Sequence, residues 1–364
     1  MATPLSRIHV LVLLVLVITL GLALNVGFGV ANRAGWGIDF NQFYSAAKLA
    51  GTGHLYDWDA LQRVEAENGQ PVPTGRLPVV IYGHKLLRLF PYPVARAVWM
   101  FLSTGALVVF ALTWPRAGRM HMLVALAWSL PTAMIILFGQ DTPFWLMFFA
   151  VGLLLLERRK PVSAGIAFSL CICKFHLALG IPVLLVAQRR WRTLIAGLGS
   201  VLILVGVCYL IEGPQWVSQY LKMSRTPAFS PPDEVMPTLS ALTARLPWPA
   251  TMEIAGAMGI LLLLWTVCRE RVDPGLAGAA AAACGLLVGH HALFADTALL
   301  IPLAVITLQK QNVPAWLKGC SVVMLSPGPF LLAAVWQQPL VWQVTIAPFV
   351  IAAVWTARVR NVPQ

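Results

Sequence analysis

The chain has 364 residues, of which 59% are hydrophobic and only 11% charged, with a mean hydropathy of +0.76. A soluble domain carries about 25% charged residues, so the composition excludes an ordinary soluble fold and makes lipid the solvent. The formal charge of +12 does not point to nucleic acid, because the basic residues fall in short segments between apolar runs, which is a topological pattern.

Residues 8–30 form the first apolar run. It is long enough to cross about 30 Å of hydrocarbon at about 1.5 Å per residue, and longer than the h-region of a cleaved signal peptide, so it reads as an uncleaved anchor. Further runs follow at 95–113, 122–138, 144–156, 162–174, 177–187, 193–211, 251–267, 276–290, 297–308, 319–335 and 340–356. In hydrocarbon each backbone polar group must be satisfied within its own segment, so these runs are predicted to be helices. The expected fold is an all-α polytopic bundle of about 12 membrane helices over 1–364. The limbs of the pairs 162–187 and 276–308 are too short to span alone and are predicted to meet at polar turns set within the membrane.

With the N-terminus inside, the inner segments hold Arg7, Arg116, Arg119, Arg158, Arg159, Lys160, Arg189, Arg190, Arg192, Arg269, Arg271, Lys310, Lys318, Arg358 and Arg360, more than half of the 26 basic residues. The short turns 139–143 and 336–339 have none. Both termini are then cytoplasmic, and two long polar loops, 31–94 and 212–250, face outward. The six cysteines lie in or at the ends of apolar runs without metal-ligand spacing and read as small packing residues.

In the first outer loop, residues 39–50 read as a helix with Phe40, Phe43, Tyr44 and Ala47 on one face. Asp39 stands at its start, where it suits either an N-cap or a reactive carboxylate just above the bilayer. Asp59 and Gln62 have capping-box spacing for a second short amphipathic helix. The two helices, aromatic side down, are expected to form a platform for a lipid headgroup.

The series Asp39-Phe40, Phe43-Tyr44, Ala46-Ala47, Gly53-His54-Leu55-Tyr56-Asp57 and Leu89-Phe90-Pro91-Tyr92 with Ala95 and Trp99 resembles the first outer loop of glycosyltransferase family 87. Phe138-Gly139-Gln140 is similar to that family's Gly-Gln turn, Lys174-Phe175-His176 to its Lys-Pro-Gln turn, and His291 to Asp296 with Leu299-Leu300 and Pro302 to its His-x-x-x-Tyr-Asp segment. The chain departs from the family at Leu77-Pro78-Val79 and over Tyr82 to Arg88. The resemblance implies a C-type glycosyltransferase fold and a polyprenyl-phosphate sugar donor, often mannose. It also implies a catalytic acidic residue in the first outer loop. The expected reaction moves that sugar to a glycolipid or glycan acceptor on the extracytoplasmic side of a bacterial inner membrane.

Such a transfer needs a base for the acceptor hydroxyl and cations for the departing phosphate. Asp39 is the leading base, since partial desolvation raises a carboxylate's pKa toward working pH. His291 is the rival base or its hydrogen-bond partner. Lys174 and His176 lie at the turn of a short helix pair, where a cation at membrane depth is expected to be functional, and Lys85 and Arg88 are further candidates for the phosphate. Tyr44 is a further substrate-binding candidate. Gln140 and Asp141 either bind sugar hydroxyls or end a helix, and Asp57 and Asp296 suit helix caps, with Asp296 also a substrate-contact candidate. No DxD pair or histidine cluster is present, so neither metal nor organic cofactor is expected, and Lys and Arg are to hold the phosphate. A flippase for a lipid-linked saccharide and an oligosaccharide ligase with a pyrophosphate-linked donor are the competing readings.

Overall fold

The computed structural model describes residues 37–69, 71–115, 118–226, 229, 236–269, 272–311 and 313–329, with 346, 349–351 and 354 near the end. The expected first anchor at 8–30, the turn at 336–339 and both termini lie outside the described residues, as does most of the run at 340–356. Every regular element among the described residues is helical, as the apolar runs require.

Among the described residues, three helices are long and apolar enough to cross a membrane: α4 (Tyr92–Thr113), α10 (Trp191–Glu212) and α13 (Pro249–Arg269). Their names follow chain order after α1 (Ile38–Leu49), α2 (Trp58–Glu65) and α3 (Pro78–His84), with α5 (Arg119–Trp128), α6 (Leu130–Phe138), α7 (Thr142–Glu157), α8 (Pro161–Ser169) and α9 (Gly180–Ala187) between α4 and α10. Beyond α10 come α11 (Trp216–Met223), α12 (Leu239–Thr243), α13, α14 (Pro274–Val288), α15 (Ile301–Gln309) and α16 (Ala315–Leu325). The run expected at 122–138 is α5 and α6, bent by 67° at the Ser129 break. There Pro131 enters the next helix and cannot continue the ladder of the one before.

Helix α10 leaves its apolar side chains bare, Leu210 at 88% and Leu202 at 71% exposure. A continuous apolar surface of that kind is what hydrocarbon covers. By contrast α14, rich in alanine, is buried along its whole length, and an apolar stripe on all sides marks a helix inside a bundle. Gly180 and Gly285 let the α9 and α14 backbones touch: a Cβ at Gly180 would come within 2.0 Å of the Ala281 carbonyl oxygen, the small-residue contact typical of membrane helices.

Both predicted short pairs break where the sequence places polar residues. After α8 the chain tightens into a 3-10 segment, Leu170–Leu177, before α9, and after α14 it passes through residues 289–293 into a second 3-10 segment, Phe294–Leu300, before α15.

The first loop corrects two expectations. The aromatic face of α1 does not lie down on lipid; Phe40 and Phe43 are wholly buried and pack on Trp99, with Phe40 also against Tyr92 and Phe43 against His84. The N-cap of α2 is Asp57, whose carboxylate accepts from the Asp59 and Ala60 amides, rather than Asp59. Asn41 and Gln42 of α1 are buried too and serve the loop that follows α2: Asn41 Nδ2 donates to the Glu65 carbonyl (3.1 Å) and Gln42 Nε2 donates to the Pro73 carbonyl. At the far end of α10, Glu212 accepts from the Gly51 amide (2.6 Å) and the Tyr82 hydroxyl (3.1 Å), which fastens the loop to a spanning helix.

Candidate active site

Five stretches far apart in sequence converge on one cavity of about 670 Å³, within the range of small-ligand sites. They are the start of α1, residues 72–76, the turn between α6 and α7, the Leu170–Leu177 segment, and residues 290–296. Tyr220 and Phe229 add an aromatic wall.

The backbone sets Asp39 beside Gln140. The Gly37 amide donates to the Leu137 carbonyl (3.0 Å), and the indole of Trp99 donates to the Gly139 carbonyl (2.8 Å). Gly139 ends α6 in a left-handed conformation at φ 74°, and a Cβ there would stand 2.6 Å from Phe40 Cβ. Only glycine meets both demands. The N-cap of α1 is Gly37, with no side-chain cap. Asp39 therefore does not cap its helix, and its side chain lines the cavity together with Gln140.

Behind these two residues lies a buried charge network. Arg76 donates twice to Asp141, from Nε at 2.6 Å and from an Nη at 2.9 Å. Lys174 Nζ donates to Asp296 Oδ1 at 2.5 Å and to Gln140 Oε1 at 3.2 Å, and stands 3.7 Å from Asp141 Oδ1. Thr142 Oγ1 is 2.8 Å from the same Asp296 oxygen and 3.2 Å from Gln140 Oε1. Asp296 also accepts from the Leu293 amide (2.9 Å). Lys174 reaches this depth because its own backbone leaves the helical region, at φ −132° and ψ 68°. Two cations thus face three carboxylates, those of Asp39, Asp141 and Asp296.

Asp39 faces the cavity with protein on its other sides. Burial pushes its carboxyl up to about 6, opposed by the positive charges of Lys174 and Arg76. It is therefore a group that exchanges a proton near neutrality. His291 also lines the cavity. Burial pushes its imidazole down to about 4, so the ring is neutral, and its buried Nδ1 has no hydrogen-bond partner among the described residues. His176 lies edge-on to it at 5.7 Å between ring centres.

Of the residues singled out from sequence, Asp39, Gln140, Lys174, His176, His291 and Asp296 line this one cavity. Tyr44, Lys85 and Arg88 are not among its lining. The Tyr44 hydroxyl donates to the Phe90 carbonyl (2.9 Å), Arg88 donates to the Ala47 carbonyl (3.1 Å), and Lys85 lies 6.0 Å from the centre of the Tyr82 ring. Arg76 is the site residue that sequence reasoning passed over; its one local signal is its place after Gly75 and before Leu77-Pro78, where the chain re-enters a helix.

Helices among the described residues with bare apolar faces, around a buried charged cavity, have the make-up of a membrane protein that handles a polar group. A profile of glycosyltransferase family 87 matches residues 78–295, more than half of the chain, and the protein belongs to that family; it is a membrane glycosyltransferase. Asp39 and Arg76 lie before the matched stretch, while Gln140, Lys174 and His291 lie within it. No curated protein and no solved structure matches the chain.

Proposed function

We propose that the protein transfers a sugar, mannose in the first instance, from a polyprenyl-phosphate sugar to a glycolipid or glycan acceptor. The reaction runs on the extracytoplasmic face of a bacterial inner membrane, on a C-type glycosyltransferase fold with both termini cytoplasmic. The observation that carries this reading is the Asp39 carboxylate lining one cavity with two cations, Arg76 and Lys174.

In this reaction Asp39 takes the proton of the acceptor hydroxyl as that oxygen bonds to the anomeric carbon. The bond from that carbon to the phosphate oxygen breaks, its electron pair stays on the phosphate, and polyprenyl phosphate leaves. The charge that grows on the phosphate needs fixed donors. Arg76 is best equipped: a guanidinium has five N–H donors, and the two bonds it makes among the described residues both go to Asp141. Lys174 adds its positive charge from behind. The neutral imidazoles of His176 and His291, with Tyr220 and Phe229, give the sugar rings polar and aromatic surfaces.

Right-side-out vesicles holding the full chain, given radiolabelled polyprenyl-phosphate mannose, test the reading. Label is expected in the glycolipid or glycan fraction in proportion to the protein. Movement of intact donor between leaflets without transfer would make the protein a flippase.

A further inference from the structure

The 3-10 turn Lys85–Leu89 leads into α4 and takes no part in lining the cavity. With about three residues per turn, side chains three apart stack on one ridge, so the turn has three sides. His84, the last residue of α3, and Leu87 form the first and are buried; the His84 ring lies 4.9 Å from that of Phe43 and 4.4 Å from that of Trp99. Leu86 and Leu89 form the second and are bare, at 71% and 78% exposure. Lys85 and Arg88 form the third and are exposed, one turn or about 6 Å apart along the axis.

Bare apolar side chains beside two cations suit the boundary between hydrocarbon and headgroups, and the neighbouring contacts place the ends of two spans there. Helix α4 starts at Tyr92, and its exposed Val94 and Phe101 continue the apolar surface. Helix α10 ends beside the turn: the Tyr82 hydroxyl donates to Glu212 (3.1 Å), and a Cβ on Gly51 would stand 3.4 Å from Lys85 Nζ and 3.6 Å from Ile211 Cγ2. Leu210 and Ile211 are exposed. The charge of the turn is of one sign. No acidic residue lies between Glu67 and Asp141 in the sequence, and Glu212 is buried and accepts from Gly51 and Tyr82.

We propose that this turn is a docking surface for the phosphate of an anionic membrane phospholipid: Lys85 and Arg88 share the phosphate, and Leu86 and Leu89 lie against the acyl chains. The phosphate is the bilayer's rather than the sugar donor's, because the turn stands outside the cavity that Asp39 lines. A guanidinium has five N–H donors, and Arg88 gives one to the Ala47 carbonyl (3.1 Å). That bond, with the Tyr44 hydroxyl on the Phe90 carbonyl (2.9 Å), ties the turn to α1, so the bound lipid braces the helix that carries Asp39. Two cations without a paired anion favour a headgroup of net negative charge.

The test titrates the detergent-solubilised full chain with phosphatidylglycerol, phosphatidylcholine or polyprenyl phosphate and reads bound lipid by native mass spectrometry. Wild type is expected to hold phosphatidylglycerol more tightly than phosphatidylcholine. In Lys85→Gln/Arg88→Gln the phosphatidylglycerol affinity should fall about 30-fold, at about fivefold for each basic residue, with phosphatidylcholine changed less than about threefold. The exchange Lys85→Arg/Arg88→Lys keeps both charges and should stay within about threefold of wild type. Thermal midpoints check that each variant is folded; if the double variant is not, the two single variants read the effect at about fivefold each. An unchanged phosphatidylglycerol affinity in the folded variants, or an equal loss for both phospholipids, would overturn the proposal. A loss confined to polyprenyl phosphate would overturn it too, and would return the two cations to the sugar donor.

Discussion

Lys174 Nζ stands 2.5 Å from Asp296 Oδ1, a contact across 122 residues of chain that joins the two irregular segments of the bundle. Both side chains are 1% exposed. Removing one partner leaves the other charged and unsatisfied in a low-dielectric interior, which costs about 3–5 kcal/mol. Lys174→Met and Asp296→Leu are each expected to lower the thermal midpoint of the detergent-solubilised protein. The double variant removes both charges together and should recover most of the loss. Thermal unfolding of the four proteins checks this; an additive double variant would show that the pair is not a unit.

Arg76 faces the cavity while holding Asp141 with two bonds. Arg76→Ala should weaken donor use by about 2–5 kcal/mol, since it also leaves the buried Asp141 without its partner. Arg76→Lys keeps the charge but cannot grip a carboxylate with two parallel bonds, so it should fall between the two. Apparent KM values for donor and acceptor, measured separately in vesicles, decide this. The donor value is expected to rise and the acceptor value to hold.

Glu65 closes α2 with its side chain wholly buried. One oxygen accepts from the Val72 amide at 2.5 Å and the other has no partner among the described residues. Burial pushes its carboxyl up to about 8 from an ordinary 4.5. The folded protein therefore keeps a proton that the unfolded chain releases, and stability falls as pH rises from about 5 to 8, by at most about 1.4 kcal/mol per pH unit. Asp39, raised to about 6, acts in the same direction over a lower window. Thermal midpoints between pH 5 and 9 should decline in the wild type and decline less in Glu65→Gln, which needs no proton to remain neutral. An equal decline in both would remove Glu65 from the effect.

The helical class and the apolar spans are legible because lipid imposes them residue by residue: α4, α10 and α13 follow directly from runs of hydrophobic residues. The turns at Gln140, Lys174 and Asp296 are legible for a related reason, since a polar residue at membrane depth needs a partner. Which partner each takes is not legible. Nothing local in the sequence pairs Lys174 with Asp296, or brings Arg76 to Asp141 across 65 residues. The role of α1 is misread by periodicity, because Phe40, Phe43 and Ala47 would cover a membrane surface as well as they cover Trp99. Its buried Asn41, Gln42 and Ser45 settle the matter only through the carbonyls and side chains they meet. Lys85 and Arg88 look like phosphate ligands by charge and nearness to a span, but the 3-10 turn that carries them (Lys85–Leu89) sits outside the cavity lining.

The central claim is that the Asp39 carboxylate accepts the acceptor's proton, and Asp39→Asn tests it most directly. The amide fills the same volume, and Asp39 does not cap its helix, so expression, membrane insertion and thermal midpoint are expected to stay near wild type. It has no basic oxygen to take a proton, so transfer from radiolabelled polyprenyl-phosphate mannose should fall by about 10²–10⁴. A folded Asp39→Asn protein that transfers sugar at close to the wild-type rate would contradict the account and leave His291 as the base.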